Sequence, residues 1–195
     1  MDSVPAPPST RDKLLEAATT VFLQHGTGAA SMDLVRQQAG VSNGSLYHHF
    51  PTKARLADAL YAHILRDFHA AMTAPITGRT GAQAGVKGMV RAYVGWVVAH
   101  PDRARLLHVL KRGGQLSEDG EWNAANAEVF GALRDWIARQ VAAGEMRDVP
   151  FHLWMALVFS PAFSLTAHWV QQPEPTVAPK TRAALEHAAW MAVAP

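Results

Sequence analysis

The stretch Ser31 to Phe50, SMDLVRQQAGVSNGSLYHHF, most constrains the fold of this chain. It divides into two short helices joined by a tight turn. Met32 and Val35 give the first helix an apolar edge, and Ala39 closes it with a small side chain. Gly40 follows, where a left-handed backbone ends the helix at no steric cost. Val41 plugs the turn and Ser42 is a suitable cap for the next helix. Leu46 and Phe50, one helical turn apart, face back toward the first helix. This pattern is a helix-turn-helix, a unit that lays its second helix in the DNA major groove. An ordinary helical hairpin, with Gly40 only a C-cap, has the same spacing.

The outward residues fit a reading head. Ser42, Asn43, Gly44 and Ser45 form a small, polar leading edge that allows close approach to base edges. Tyr47 and His48 carry donors for phosphate oxygens. Thr52 and Lys53 open the following helix, and Ser31 opens the preceding one; helix N-termini attract phosphate.

The run AGVSNGSLYHHFPTKARL resembles the signature of the TetR family of bacterial repressors, through Ala39, Gly40, Val41, Ser42, Gly44, Leu46, Tyr47, His49, Phe50, Lys53 and Leu56. One position departs from that pattern. The family usually has a small Ala after Val35, and here Arg36 must snorkel out of the helix pair. The resemblance implies an all-α protein with an N-terminal three-helix DNA-binding domain and a C-terminal helical domain that binds a small molecule and dimerises through its last two helices.

Bulk charge does not argue for DNA binding, since 18 basic and 16 acidic residues leave a net charge of only +2. The functional reading rests on where donors sit. The chain has no cysteine, which excludes disulfides and Cys-ligated zinc. Met1 to Pro8 lacks the basic start and apolar run of a secretory signal, and Leu153 to Phe159 is too short to span a bilayer. The chain is therefore expected to be cytoplasmic.

Residues 1–8 read as a disordered arm. Ser9 or Thr10 caps a first helix to about Gln24, with Leu15, Ala18 and Phe22 on its buried stripe. His25-Gly26 ends that helix. Arg11 and Lys13 in its first turn are either phosphate contacts or solvated charge. The DNA-binding domain spans residues 9–51, and a connecting helix spans 52–74. Pro75 to Gly81 marks the domain boundary, and residues 82–195 form the ligand-binding and dimerisation domain.

All six Trp fall in this second half. Five helices are expected there: 82–100, 102–111, 121–143, 150–170 with a kink at Pro161, and 180–193. Helix 151–170 is apolar on more than one face, so it needs partners on two sides. The last helix carries Ala184, Leu185, Ala188 and Met191 on one face, and its spaced Ala184, Ala188 and Ala192 permit close approach. A four-helix dimer interface fits both patterns; a monomeric bundle is the alternative.

Pockets are mostly apolar with a few placed polar groups. The candidate lining is Met89, Tyr93, Trp96, Leu107, His108, Trp122, Asn126, Phe130, Trp154, Val158 and Phe163. Each aromatic among them serves equally as core. The many Trp favour a flat, apolar ligand. The ten His show no metal-ligand spacing, and no phosphate loop or nucleophile elbow is present; no cofactor, metal or catalytic residue is expected. The resemblance, with these residues, implies a repressor released from a palindromic operator by a small apolar or aromatic molecule. A DNA-binding architectural or activator protein without a ligand is the second reading.

Overall fold

The computed structural model describes residues 9–78, 80–114, 116–170 and 175–195. The expected arm at 1–8 lies outside the described residues. Among those described there are nine α-helices and no strand: α1 Thr10–Ala29, α2 Met32–Ala39, α3 Asn43–His49, α4 Lys53–Thr73, α5 Ala82–Ala99, α6 Pro101–Arg112, α7 Glu121–Ala142, α8 Phe151–Trp169 and α9 Pro179–Val193. A short 3-10 turn, Ala74–Ile76, follows α4.

The chain divides into two compact units. One runs to Ile64 and includes Leu106–Asn123; the other holds Leu65–Arg105 and Ala124–Pro195. This division differs from the break read at Pro75 to Gly81. A Pro/Gly-rich stretch marks where a helix stops, but α4 runs unbroken past Ile64. The chain between α6 and α7 belongs to the first unit because side-chain bonds tie it to α4. Asp58 Oδ1 accepts the Ser117 backbone N–H at 2.8 Å, and Arg55 donates to Asp119 at 3.0 Å.

In the first unit the starts of α1 to α4 are each set by a capping side chain. Ser9 Oγ accepts from the Asp12 N–H at 3.1 Å while the Asp12 carboxylate accepts from the Ser9 N–H, a reciprocal capping box. Gly26 has φ 72° and breaks the α1 backbone where the sequence predicts its end, although helical hydrogen bonding resumes to Ala29. Leu14, Leu15, Ala18 and Phe22 from α1 are buried, as are Val35, Leu46, Phe50, Leu56 and Leu60.

Gly40 ends α2 in the left-handed region, φ 65° and ψ 34°, with its N–H bonded to the Arg36 and Gln37 carbonyls. No atom lies within 4 Å of where its Cβ would stand. Space does not select glycine here; backbone conformation does. Gly40→Val is therefore expected to cost about 1–2 kcal/mol, seen as a melting temperature lower by roughly 2–8 °C. Gly40→Asn is expected to lose half of that or less, because Asn visits this region. Equal losses would mean that volume matters at this turn.

In the second unit α5 packs against α8 and α9. Trp136, Trp154, Phe159, Val86, Met89 and Val90 are at most 1% exposed. Arg91 Nε on α5 donates to Glu186 on α9 at 2.9 Å, and the Arg147 backbone N–H caps the end of α9 at the Val193 carbonyl, 2.9 Å. Pro161 lies inside α8, which runs on through it. Pro161 and Leu157, one turn earlier, both face solvent, so water can satisfy the carbonyl that the missing N–H leaves.

Of its predicted face, the last helix buries only Leu185 within the single chain. Leu185, Ala189 and Val193 are buried, whereas Ala184 and Ala188 are exposed and Met191 is 52% exposed. The alanines permit two stripes offset by about one residue, and the inward one is taken by the branched side chains, which gain more from burial.

Candidate functional site

The first unit presents a polar edge on α3. Its N-cap Ser42 is exposed, as are Asn43, Gly44 and His48; Ser45 is half-buried. Tyr47 is 47% exposed while its neighbour Leu46 is fully buried. The apolar side of the helix closes the head, and the polar side faces away from the core.

Three of the expected hydroxyls already work as caps. Ser31 Oγ accepts the Leu34 N–H at 3.2 Å, Ser42 Oγ accepts the Ser45 N–H at 3.2 Å, and Thr52 Oγ1 accepts the Arg55 N–H at 3.2 Å. Each keeps its own O–H to donate. The Lys53 ammonium donates to the Gly28 carbonyl at 3.1 Å, which leaves two N–H groups for another acceptor. Arg36 snorkels as its length requires: its Nε donates to Asp33 at 2.9 Å along α2. Arg11 stands 5.7 Å above the Phe50 ring and 3.9 Å from Glu121, so its charge is already engaged at the surface; Lys13 is exposed.

The expected ligand residues are distributed between the units. Leu107, His108 and Trp122 belong to the first. There His108 is exposed, and Trp122 stands edge-on to Tyr61 at 5.9 Å with its Nε1 donating to the Ser117 carbonyl at 3.2 Å. The other eight lie in the second unit. Met89, Trp154 and Val158 are sealed in its core. Around Phe68 stand Tyr93 at 5.9 Å and Trp96 at 5.1 Å. Trp96 Nε1 donates to Asp67 at 3.1 Å, and the Tyr93 hydroxyl meets Thr166 Oγ1 at 2.5 Å. Phe163 reaches Tyr93 at 4.9 Å yet is 44% exposed. Asn126 and Phe130 are half-buried. A groove of about 360 Å³, lined by Arg134, Ile137, Val141, Asp148, Val149 and Phe151 among others, includes none of the expected residues.

Residues 14–60 match the model of the bacterial regulatory proteins of the tetR family. The match covers the helix-turn-helix head, the part of the chain that resembles the TetR family. The chain is similar to the HTH-type transcriptional repressor AcnR of Corynebacterium efficiens, 29% identical over 161 residues that cover 78% of this chain and 79% of that protein. It is also similar to the HTH-type transcriptional repressor KstR2 of Mycolicibacterium smegmatis, 39% identical over 67 residues. That match spans 34% of this chain and only 31% of the relative. A TetR-family transcription regulator from Shewanella sp. PV-4 shares the fold, with a TM-score of 0.80 at 23% identity over 96% of this chain and all of that one. The chain is thus a DNA-binding transcriptional regulator with a helix-turn-helix head. Among the described residues no helix is long and apolar enough to cross a membrane.

Two polar groups of this chain escaped the sequence reading. Asp58 is 3% exposed and holds the 116–120 loop through one oxygen, while its Oδ2 has no hydrogen-bond partner among the described residues. His69 is 6% exposed, and its Nδ1 also lacks a partner there. Burial pushes the His69 imidazole down to a pKa of about 4, so it is neutral at physiological pH. The signal was present: Tyr61, Leu65 and His69 recur every four residues, which puts all three on one face of α4, and all three are buried.

Proposed function

We propose that this chain is a homodimeric, cytoplasmic repressor. It reads a palindromic operator through α3 and releases it when a small apolar or aromatic molecule binds the second half. The carrying observation is the division of α3 into a sealed side, Leu46, and an outward polar edge, Ser42 to Ser45 with Tyr47 and His48. The small edge residues approach base edges. Tyr47 and His48 contact phosphates, with Ser31, Thr52 and Lys53 adding donors at helix starts.

The dimer reading rests on α8 and α9. Leu153, Leu157, Leu165 and Met191 are all more than a third exposed in the single chain, and Ala184 and Ala188 beside Met191 leave room for a second copy to approach. A two-fold pairing of α8 and α9 covers these side chains and sets two α3 helices for half-sites about 34 Å apart. Ligand acts by favouring one arrangement of the two heads over the other, and the continuous helix α4 is the lever.

Selection of bound duplexes from a random pool at near-physiological salt tests the reading. Enrichment of a palindrome is expected; only weak, salt-sensitive binding would overturn it. On the selected operator, Tyr47→Ala is expected to weaken binding to all sequences about tenfold, while Asn43→Ala removes about 1–3 kcal/mol of discrimination at one position of each half-site. If neither variant changes DNA binding, α3 is not the reading helix.

A further inference from the structure

The second unit holds a run of six aromatic rings. It starts at the exposed Phe163 and passes to Tyr93 at 4.9 Å, then to Phe68 at 5.9 Å. From Phe68 it continues to His69 at 5.8 Å, to Phe130 at 6.3 Å and to Phe151 at 5.9 Å. Three of these pairs are edge-to-face and the two that involve His69 are tilted; all lie within the separations at which aromatic rings attract one another, and a further flat ring is attracted on the same terms. Two polar groups sit inside the run. Thr166 Oγ1 donates to the Phe163 carbonyl at 3.2 Å, so the Tyr93 hydroxyl is the donor in its 2.5 Å contact with Thr166 and is satisfied. His69 Nδ1 is not satisfied among the described residues. A buried ring nitrogen without a partner is a standing cost to the folded state, and nothing in the packing of Phe68 and Phe130 against it repays that cost.

We infer that His69 is the specificity-determining residue of the ligand site, and that it selects a neutral aromatic molecule carrying a hydroxyl, of the phenol or naphthol class. This rests on the ligand-responsive reading above. The aromatic run supplies a stack for a flat ring. Nδ1 in the Nε2–H tautomer accepts a hydrogen bond, and a phenolic O–H is the matching donor. Bound ligand repays the unmade bond, which an unsubstituted ring cannot do. A carboxylate ligand is disfavoured, because a neutral imidazole between phenyl rings offers no countercharge for burying an anion.

The test compares 2-naphthol with naphthalene by equilibrium dialysis against the full chain and its His69→Leu variant. The ratio of the two affinities is expected to fall at least tenfold in the variant, while naphthalene binding persists. Leucine removes the unpaired nitrogen, so the variant is expected to fold and to melt about 2–4 °C higher; circular dichroism reads this. An unchanged ratio, or a variant that melts several degrees lower, would overturn the role of His69. Retention of neither compound by the folded full chain would overturn the ligand class. A release assay on the selected operator separates the two readings: a fallen ratio without release by 2-naphthol supports the His69 assignment and sinks the ligand-responsive reading alone.

Discussion

Gly85→Ala is expected to destabilise the second unit although it replaces glycine by the best helix former. Gly85 lies in α5, and a Cβ there would stand 2.3 Å from Trp136 Cζ2, 2.8 Å from Cη2 and 3.2 Å from the Ile76 side chain. The ring has little freedom to yield. Trp136 is 1% exposed, and its Nε1 donates to the Thr80 carbonyl at 3.4 Å. Overpacking of this kind costs about 1–3 kcal/mol. The gain in helix propensity is about 1 kcal/mol, so the steric term wins at the upper end of its range, with a net loss of about 2 kcal/mol and a melting temperature lower by roughly 4–8 °C. Gly95 in the same helix supplies the control, because it is exposed and a Cβ there meets nothing within 4 Å. Gly95→Ala is expected to raise stability by about 1 kcal/mol. Opposite signs for the two substitutions in denaturant midpoints bear out the argument. A stabilised Gly85→Ala would mean that Trp136 is free to move.

The same contrast shows what could be read before the structure. Both glycines interrupt an apolar helical pattern, and nothing in the sequence says that one seats an indole and the other faces solvent. Local signals were legible. The caps at Ser9, Ser31 and Ser42, the left-handed Gly40 and the buried trio Val35, Leu46 and Phe50 all follow from side-chain chemistry within a few residues. Helix bounds fall within a residue or two of expectation for the same reason, except at α1, which resumes after Gly26. Long-range features were not legible. The loop before α7 reads as a polar connection, and only the fold brings its Ser117 and Asp119 to Asp58 and Arg55. Periodicity ranks residues as buried or exposed but does not tell which buried face meets which, and so the candidate lining holds both Trp122 and Asn126 although the two lie in different units.

Acidification is expected to expose the cost of burying His69. Its ordinary pKa is 6.5, and in the fold burial lowers it to about 4. The folded state therefore resists a proton that the unfolded chain accepts. Above pH 6.5 both states carry neutral imidazole, and the depressed value costs nothing. As the pH falls from 6.5 toward 4 the unfolded chain is protonated first, and stability is lost through that window. Below about 4 both states are protonated and the loss is complete, at about 3 kcal/mol for this one group. The other histidines titrate too, so the measurement is a difference. Urea midpoints of the full chain and of His69→Leu, taken at pH 7 and again at pH 4.5, isolate His69. The variant's lead at pH 7, which reflects only removal of the unpaired nitrogen, is expected to widen by about 2–3 kcal/mol at pH 4.5. If the lead stays constant, His69 takes up its proton as readily in the fold as outside it. In that case its ring is hydrated, and the aromatic shell of Phe68 and Phe130 does not seal it from water.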